Sequence, residues 1–209
     1  MTATTVLLQE RAALCDTLAE FGADAPTLCA GWLTLDLAAH LVAREARSDA
    51  ALGLVVPPLA GHLQRVMDKY KERGYDTLVR MLRTGPPVMH RIGPLAAANV
   101  NENFVHHEDV RRANGLSPRP LPPETDAVLW KLLGFGARLT KRAVRGTSLT
   151  LHTPDGRTRV VSTDGPSVSL TGDPGELALY LAGRKEAAVV KLDGAPTAVA
   201  IVEAANFGV

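Results

Sequence analysis

Apolar residues recur at helical spacing from Val6 to Phe21, with Leu7, Leu8, Ala12, Leu14, Cys15, Leu18 and Ala19 on the stripe and Gly22 behind it. This pattern predicts an amphipathic helix. A loop holding Pro26, Cys29 and Gly31 leads into GWLTLDLAAHLVAREARSDAAL, which reads as a second helix capped by Thr34, with Asp36 in its first turn and an end near Leu52. Its apolar stripe is Leu35, Ala39, Val42, Ala46 and Ala50, and His40 shares a more polar side with Asp36, Ala43, Arg44 and Arg47. After Pro57 and Pro58, two shorter helices are expected near Leu63 to Glu72 and Asp76 to Leu82, parted by Gly74. Another helix should start near Pro94, run through NVNENFVHHEDVRRAN (Asn99 to Asn114) and stop at Gly115, with Arg111 and Arg112 suiting its C-terminal dipole.

The texture then changes. LSPRPLPP, Leu116 to Pro123, reads as a stiff connector, followed by a long helix from Glu124 to Val144. From Gly146 the segments SLTLHT and RTRVVST alternate around Asp155-Gly156, the strongest hairpin signal in the chain. A strand at Ser167 to Leu170, a helix at Pro174 to Leu181 opened by Asp173, and a last helix at Pro196 to Ala205 complete the pattern. The expected fold class is α+β: an all-helical domain at 1–145 and a small α/β domain at 146–209.

Composition narrows the function classes. The 209 residues suffice for a substantial core, and the net charge of +1 leaves no electrostatic footprint for nucleic acid or an acidic membrane surface. The opening MTATTVLLQERAAL is too short in apolar residues for a signal peptide, and no run approaches spanning length, so a cytoplasmic protein without membrane partners is expected. Cys15 and Cys29, the only cysteines, provide no disulfide framework and no Cys-rich metal site, and both read as buried thiols. Nothing in the sequence requires an oligomer, and a monomer is expected.

The Asn99–Asn114 stretch concentrates the chemistry. Glu102 and His106, four apart, project from one face of a helix, with Asp109 on the next turn. A catalytic zinc site takes three protein ligands and leaves a position open. A helical bundle supplies the third from a facing helix. His40 suits this role best, because His62 lies in a charged helix, His90 in a Pro/Gly loop and His152 in the hairpin. The plainer reading is an exposed i,i+4 pair worth ~0.2–0.5 kcal/mol. His107 and Glu108 point away and read as outer-face or interdomain groups. Asp109 could orient His106 or pair with Arg112. Arg44 and Arg47 could bind a ligand carboxylate or form a solvated face.

Three blocks in order, GWLTLDLAAHLVAREARSDA, NENFVHHEDVRRANG and LTGDPGELALYLAGR, resemble the mycothiol-dependent maleylpyruvate isomerase family. That family sits within the DinB-like metal-binding helical bundles, and the closest likeness is to an actinobacterial metal-binding branch carrying FVHHEDVRR. The abundance of Arg over Lys and of Ala suits a GC-rich genome. The resemblance covers nearly the whole chain. It implies a four-helix bundle whose divalent metal, usually zinc, is held by residues matching His40, Glu102 and His106. It also implies a C-terminal domain whose Arg184 lines the cleft, although a Gly-Arg after a helix is equally an ordinary helix stop.

The function implied is a thiol S-transferase or thiol-dependent isomerase. The thiol of mycothiol would ionise on the metal and attack an electrophile, with Arg184 and Arg44 or Arg47 anchoring carboxylates. Two alternatives are metal-assisted hydrolysis, with Asp109 as base, and a non-catalytic metal-binding protein. The same donor set suits zinc, nickel, iron or manganese.

Overall fold

Thr2 opens the first helix, α1 (Ala3–Phe21), by accepting the Thr5 backbone N–H on its Oγ1 at 3.3 Å. The helix therefore starts three residues before the apolar pattern does. The computed structural model describes residues 2–46, 60–85 and 93–207. Arg47, His90 and the expected continuation of the second helix to Leu52 lie outside them. Along α1 the inward places belong to Val6, Leu7, Leu14, Cys15 and Leu18, but also to Glu10, Arg11 and Thr17, while Leu8 and Ala19 face out. Polar side chains can occupy such places only with partners. Arg11 has them: it donates to both carboxylate oxygens of Glu45 and, at 2.8 Å, to the Leu82 carbonyl.

The helices α2 (Thr34–Ala46), α3 (Ala60–Lys71), α4 (Tyr75–Thr84) and α5 (Gly93–Ala113) complete a helical unit. In it α1 packs chiefly on α5 and α4, and α2 on α3 and α4. Leu18, Leu37, Leu41, Met67, Leu78 and Leu82 lie in its core with Val110 of α5. Thr34 does not cap α2 as expected. It is the first helical residue, its hydroxyl donates to the Gly22 carbonyl, and Asp36 Oδ2 instead accepts the Leu33 N–H at 3.1 Å. The expected division of α2 into an apolar and a polar side also fails. Leu35 is only half-buried and Ala46 is exposed, whereas His40 and Glu45 are buried. Helix α5 ends as the sequence predicts. Gly115 at φ +77 turns the chain so that its N–H reaches the Arg112 carbonyl at 3.2 Å and Leu116 N–H reaches Arg111 at 3.0 Å.

The chain divides into two compact units between Arg119 and Pro120, within the Pro-rich connector and not near Arg145. The expected boundary moves because α6 (Pro123–Ala143) packs with the C-terminal elements. Arg157 pairs with Asp126 at 2.7 Å, and Arg157 and Arg159 both lie over the Trp130 ring. Gly134 leaves room for the Arg159 guanidinium.

The sheet of this second unit has the order β2-β1-β3-β4. Its strands are β1 (Ser148–His152), β2 (Thr158–Val160), β3 (Ser167–Thr171) and β4 (Lys191–Gly194). The hairpin is present, with His152 opposite Thr158, and β3 lies parallel to β1 on its other side. Strand β4 escapes the sequence pattern because its one apolar residue, Leu192, shows no alternation; its pairing with β3 defines it. Helices α7 (Pro174–Leu181) and α8 (Pro196–Ala204) fall where expected, but Asp173 makes no side-chain cap bond. Among the described residues no helix is long and apolar enough to cross a membrane.

Candidate metal centre

Helical geometry puts Glu102 one turn before His106 on α5, and packing brings His40 of α2 to the same point. Glu102 Oε1 lies 3.3 Å from His106 Nε2 and 3.6 Å from His40 Nε2. The imidazole centroids are 5.4 Å apart, nearly edge to face. Nitrogen and oxygen ligands at zinc distances in a tetrahedron stand about 3.3 Å apart. Glu102 Oε1 has close to that spacing from both imidazole nitrogens, and the three donors lie within 4.8 Å of one another and could hold a metal ion. No fourth His, Cys, Asp or Glu joins this group among the described residues.

The surroundings orient the donors. His106 Nδ1 meets Asp109 Oδ2 at 2.8 Å, and Asp109 is wholly buried. A carboxylate behind an imidazole selects the tautomer that leaves the opposite nitrogen free to ligate. Asp109 therefore resolves in favour of orienting His106, while Arg112 pairs with Glu108 at 2.9 Å. In that position Asp109 is not placed as a base toward the donor side of the ring. His40 stacks obliquely on Trp32, with centroids 5.0 Å apart, and its Nδ1 is buried without a hydrogen-bond partner among the described residues. Packing on Trp32 and the contact of Nε2 with Glu102 hold that ring.

Charge is arranged to keep the carboxylate ionised. Burial works against the Glu102 anion, but hydrogen bonds from His106 and His40, together with the His106 and Arg44 charges, hold its carboxyl far below the usual range. Burial likewise disfavours a charged His106, yet Asp109, Cys29 and Glu102 raise its pKa well above the ordinary imidazole value. Burial dominates at His40, whose pKa falls despite Glu102. His106 therefore lies between two carboxylates, Asp109 at Nδ1 and Glu102 at Nε2.

Of the arginines, Arg44 is turned into this cluster. Its Nε lies 3.3 Å from Glu102 Oε1 and it donates to Asn99 Oδ1 at 2.7 Å. Arg184 belongs to the C-terminal unit, where it follows the helix stop at Gly183 and donates to the Ala182 carbonyl at 2.6 Å.

His107 and Glu108 are not outer-face groups, as both are buried. His107 Nε2 meets Thr17 Oγ1 at 2.8 Å, and Glu108 pairs with Arg111, Arg112 and Arg119. Arg119 also reaches Glu10, at 2.6 Å. Charges on α1, α5 and the connector therefore compensate each other away from the metal-capable donors.

The sequence reading missed Trp32, Asn99 and the placement of Cys29. Cys29 is half-buried, with Sγ 3.2 Å from Asp109 Oδ2. The loop carrying it is built locally: Thr27 Oγ1 accepts the Cys29 N–H and donates to the Trp32 carbonyl, and Gly31 at φ +77 lets Trp32 N–H close back on Cys29 O at 2.9 Å. Leu28 N–H then ties the loop to the Asp109 carbonyl at 3.1 Å. The available signal was a Cys and a Trp three apart, just ahead of the helix bearing His40.

Compared with family models, curated proteins and solved structures, the chain has no match in any of the three.

Proposed function

We propose that this protein is a metal-dependent enzyme that uses a low-molecular-weight thiol, as the resemblance to the mycothiol-dependent maleylpyruvate isomerase family implies. One observation carries the reading: Glu102 Oε1 stands between His40 Nε2 and His106 Nε2, at 3.6 and 3.3 Å, with a buried carboxylate behind one of the rings. His40, Glu102 and His106 would hold a divalent cation, zinc being the ion that two imidazoles and a carboxylate suit. A bound cation with an open position would lower the pKa of an incoming thiol and present it as thiolate.

The chain's own groups do the rest. Asp109 keeps the His106 proton on Nδ1, Arg44 holds Glu102 ionised, and Trp32 packs His40 in place. One carboxylate among three donors leaves a dication with residual positive charge, which favours an anionic sulfur. Arg44 is engaged with Glu102 and Asn99, and Arg184 and Arg47 hold the carboxylate-anchoring role only as the resemblance implies it. The thiol is mycothiol and the reaction is S-transfer to, or thiol-assisted isomerisation of, a small electrophile.

The test is incubation of zinc-loaded protein with mycothiol and an activated electrophile. Thiol should be consumed by wild type and not by His106→Ala. Electrophile loss at the same rate without thiol would instead make the protein a hydrolase. No turnover with intact metal would make it a binding protein.

A further inference from the structure

His106 has a second nitrogen, and it faces a second set of donors. Nδ1 lies 2.8 Å from Asp109 Oδ2 and 3.9 Å from Cys29 Sγ, and Sγ lies 3.2 Å from the same Oδ2. Around one tetrahedral ion, nitrogen and oxygen stand about 3.3 Å apart, and sulfur about 3.5 Å from either. Each side of the observed triangle is within about half an ångström of those values. The donors are also held before any ion arrives. Asp109 is wholly buried, and the Cys29 loop is fixed by Thr27, by its own turn and by the Leu28 to Asp109 backbone bond. A thiolate, an imidazole and a carboxylate make a softer set than two imidazoles and a carboxylate.

We propose that Cys29, His106 and Asp109 form an alternative site for a thiophilic divalent ion, and that its occupation excludes an ion from the His40, Glu102 and His106 site. The exclusion, which alone rests on the functional reading above, follows from the chemistry of one ring. A neutral imidazole has one N–H and one lone pair. With an ion on Nε2 the proton sits on Nδ1 and faces Asp109. With an ion on Nδ1 it sits on Nε2 and faces Glu102 Oε1, 3.3 Å away. Filling the second site breaks the Cys29 S–H and His106 Nδ1–H bonds and forms metal–sulfur and metal–nitrogen bonds; the sulfur proton goes to solvent, and the ring carries its one proton on Nε2, which the first-site ion has left. Both His106 tautomers have a carboxylate waiting, so the switch leaves no N–H of that ring unpaired. A thiophilic ion would thereby silence the thiol chemistry by taking its ligand and not by adding a second metal.

Cadmium titration tests this, with exogenous thiols excluded, followed by the ultraviolet charge-transfer absorption of a thiolate–cadmium bond and by metal per chain. In His40→Ala/Glu102→Gln, which lacks the first site, the absorption should rise and saturate at one equivalent. Adding Cys29→Ser should abolish it, and adding Cys15→Ala should not. In zinc-loaded wild type, cadmium should release zinc with one ion per chain throughout. Absence of the absorption in the first-site variant, or its survival without Cys29, overturns the site; two ions per chain overturn the exclusion. Should Cys29→Ser not fold, protection of Cys29 from iodoacetamide by cadmium, in Cys15→Ala, reads the same bond, and unprotected alkylation counts against it. Failure of the functional reading looks different: zinc binding would then be untouched by His40→Ala or Glu102→Gln.

Discussion

His106 and Asp109, three residues apart on α5, meet through Nδ1 and Oδ2 at 2.8 Å, and this contact turns the other ring nitrogen toward Glu102 and His40. Asp109→Asn keeps the shape but can present an amide N–H to the ring, and it removes a negative charge. Zinc affinity should fall by about 10–100-fold with the three donors intact. Competition against a chromophoric chelator measures it; unchanged affinity would remove Asp109 from any role at the centre.

His106→Ala removes a donor shared by both metal-capable groupings and should leave the purified protein without stoichiometric zinc. Metal analysis of protein made without an affinity tag decides this. A full equivalent of zinc in that variant would refute the ligand assignment. Glu102→Gln should also lose most of its zinc, since the amide supplies no charge to balance the cation.

The buried pair of Arg11 and Glu45 lies elsewhere in the helical unit, and Arg11 is only 2% exposed. Arg11→Met strands the Glu45 carboxylate and should cost about 3–5 kcal/mol of unfolding free energy. The double variant Arg11→Met/Glu45→Leu should recover much of this, because no unpaired charge remains. Recovery will be incomplete, since the Leu82 carbonyl loses its donor. Urea denaturation of the three proteins reads the difference.

Acid sensitivity should reside partly at Glu10. Burial would raise its pKa, but His107 and Arg119 outweigh that and lower it. A carboxylate with a depressed folded-state pKa adds stability that is complete above its unfolded value of about 4.3 and is lost as pH falls through the folded value. Wild type should therefore lose stability more steeply than Glu10→Gln below about pH 4, and the two curves should run parallel near neutrality. Equal slopes across the acid range would show that Glu10 is not depressed in the native state.

Zinc-loaded wild type, zinc-free wild type and His106→Ala should differ in consumption of mycothiol by an electrophile, with only the first active. Thiol titration over time measures this. Arg184→Ala should keep its zinc and weaken thiol or substrate use, and unchanged kinetics would leave Arg184 as the helix stop its Ala182 contact describes.

Much of this architecture could be read from local spacing. The helix periods placed α1, α5, α6 and α7 to within a few residues, Asp155-Gly156 located the hairpin, and the i,i+4 rule put Glu102 beside His106. Each of these depends on hydrogen bonds or side-chain neighbours within about four residues, which the sequence states directly. What the tertiary structure alone decided lies across long separations. It turned the His40 helix inward on nearly every side, brought Cys29 beside Asp109, buried Glu108 against Arg119, and laid β3 parallel to β1. The physical reason is that a charged or polar side chain may be buried only where another element supplies its partner. Periodicity shows which residues share a face, but whether that face meets water, a counter-charge or a metal ion is set by the chain packed against it.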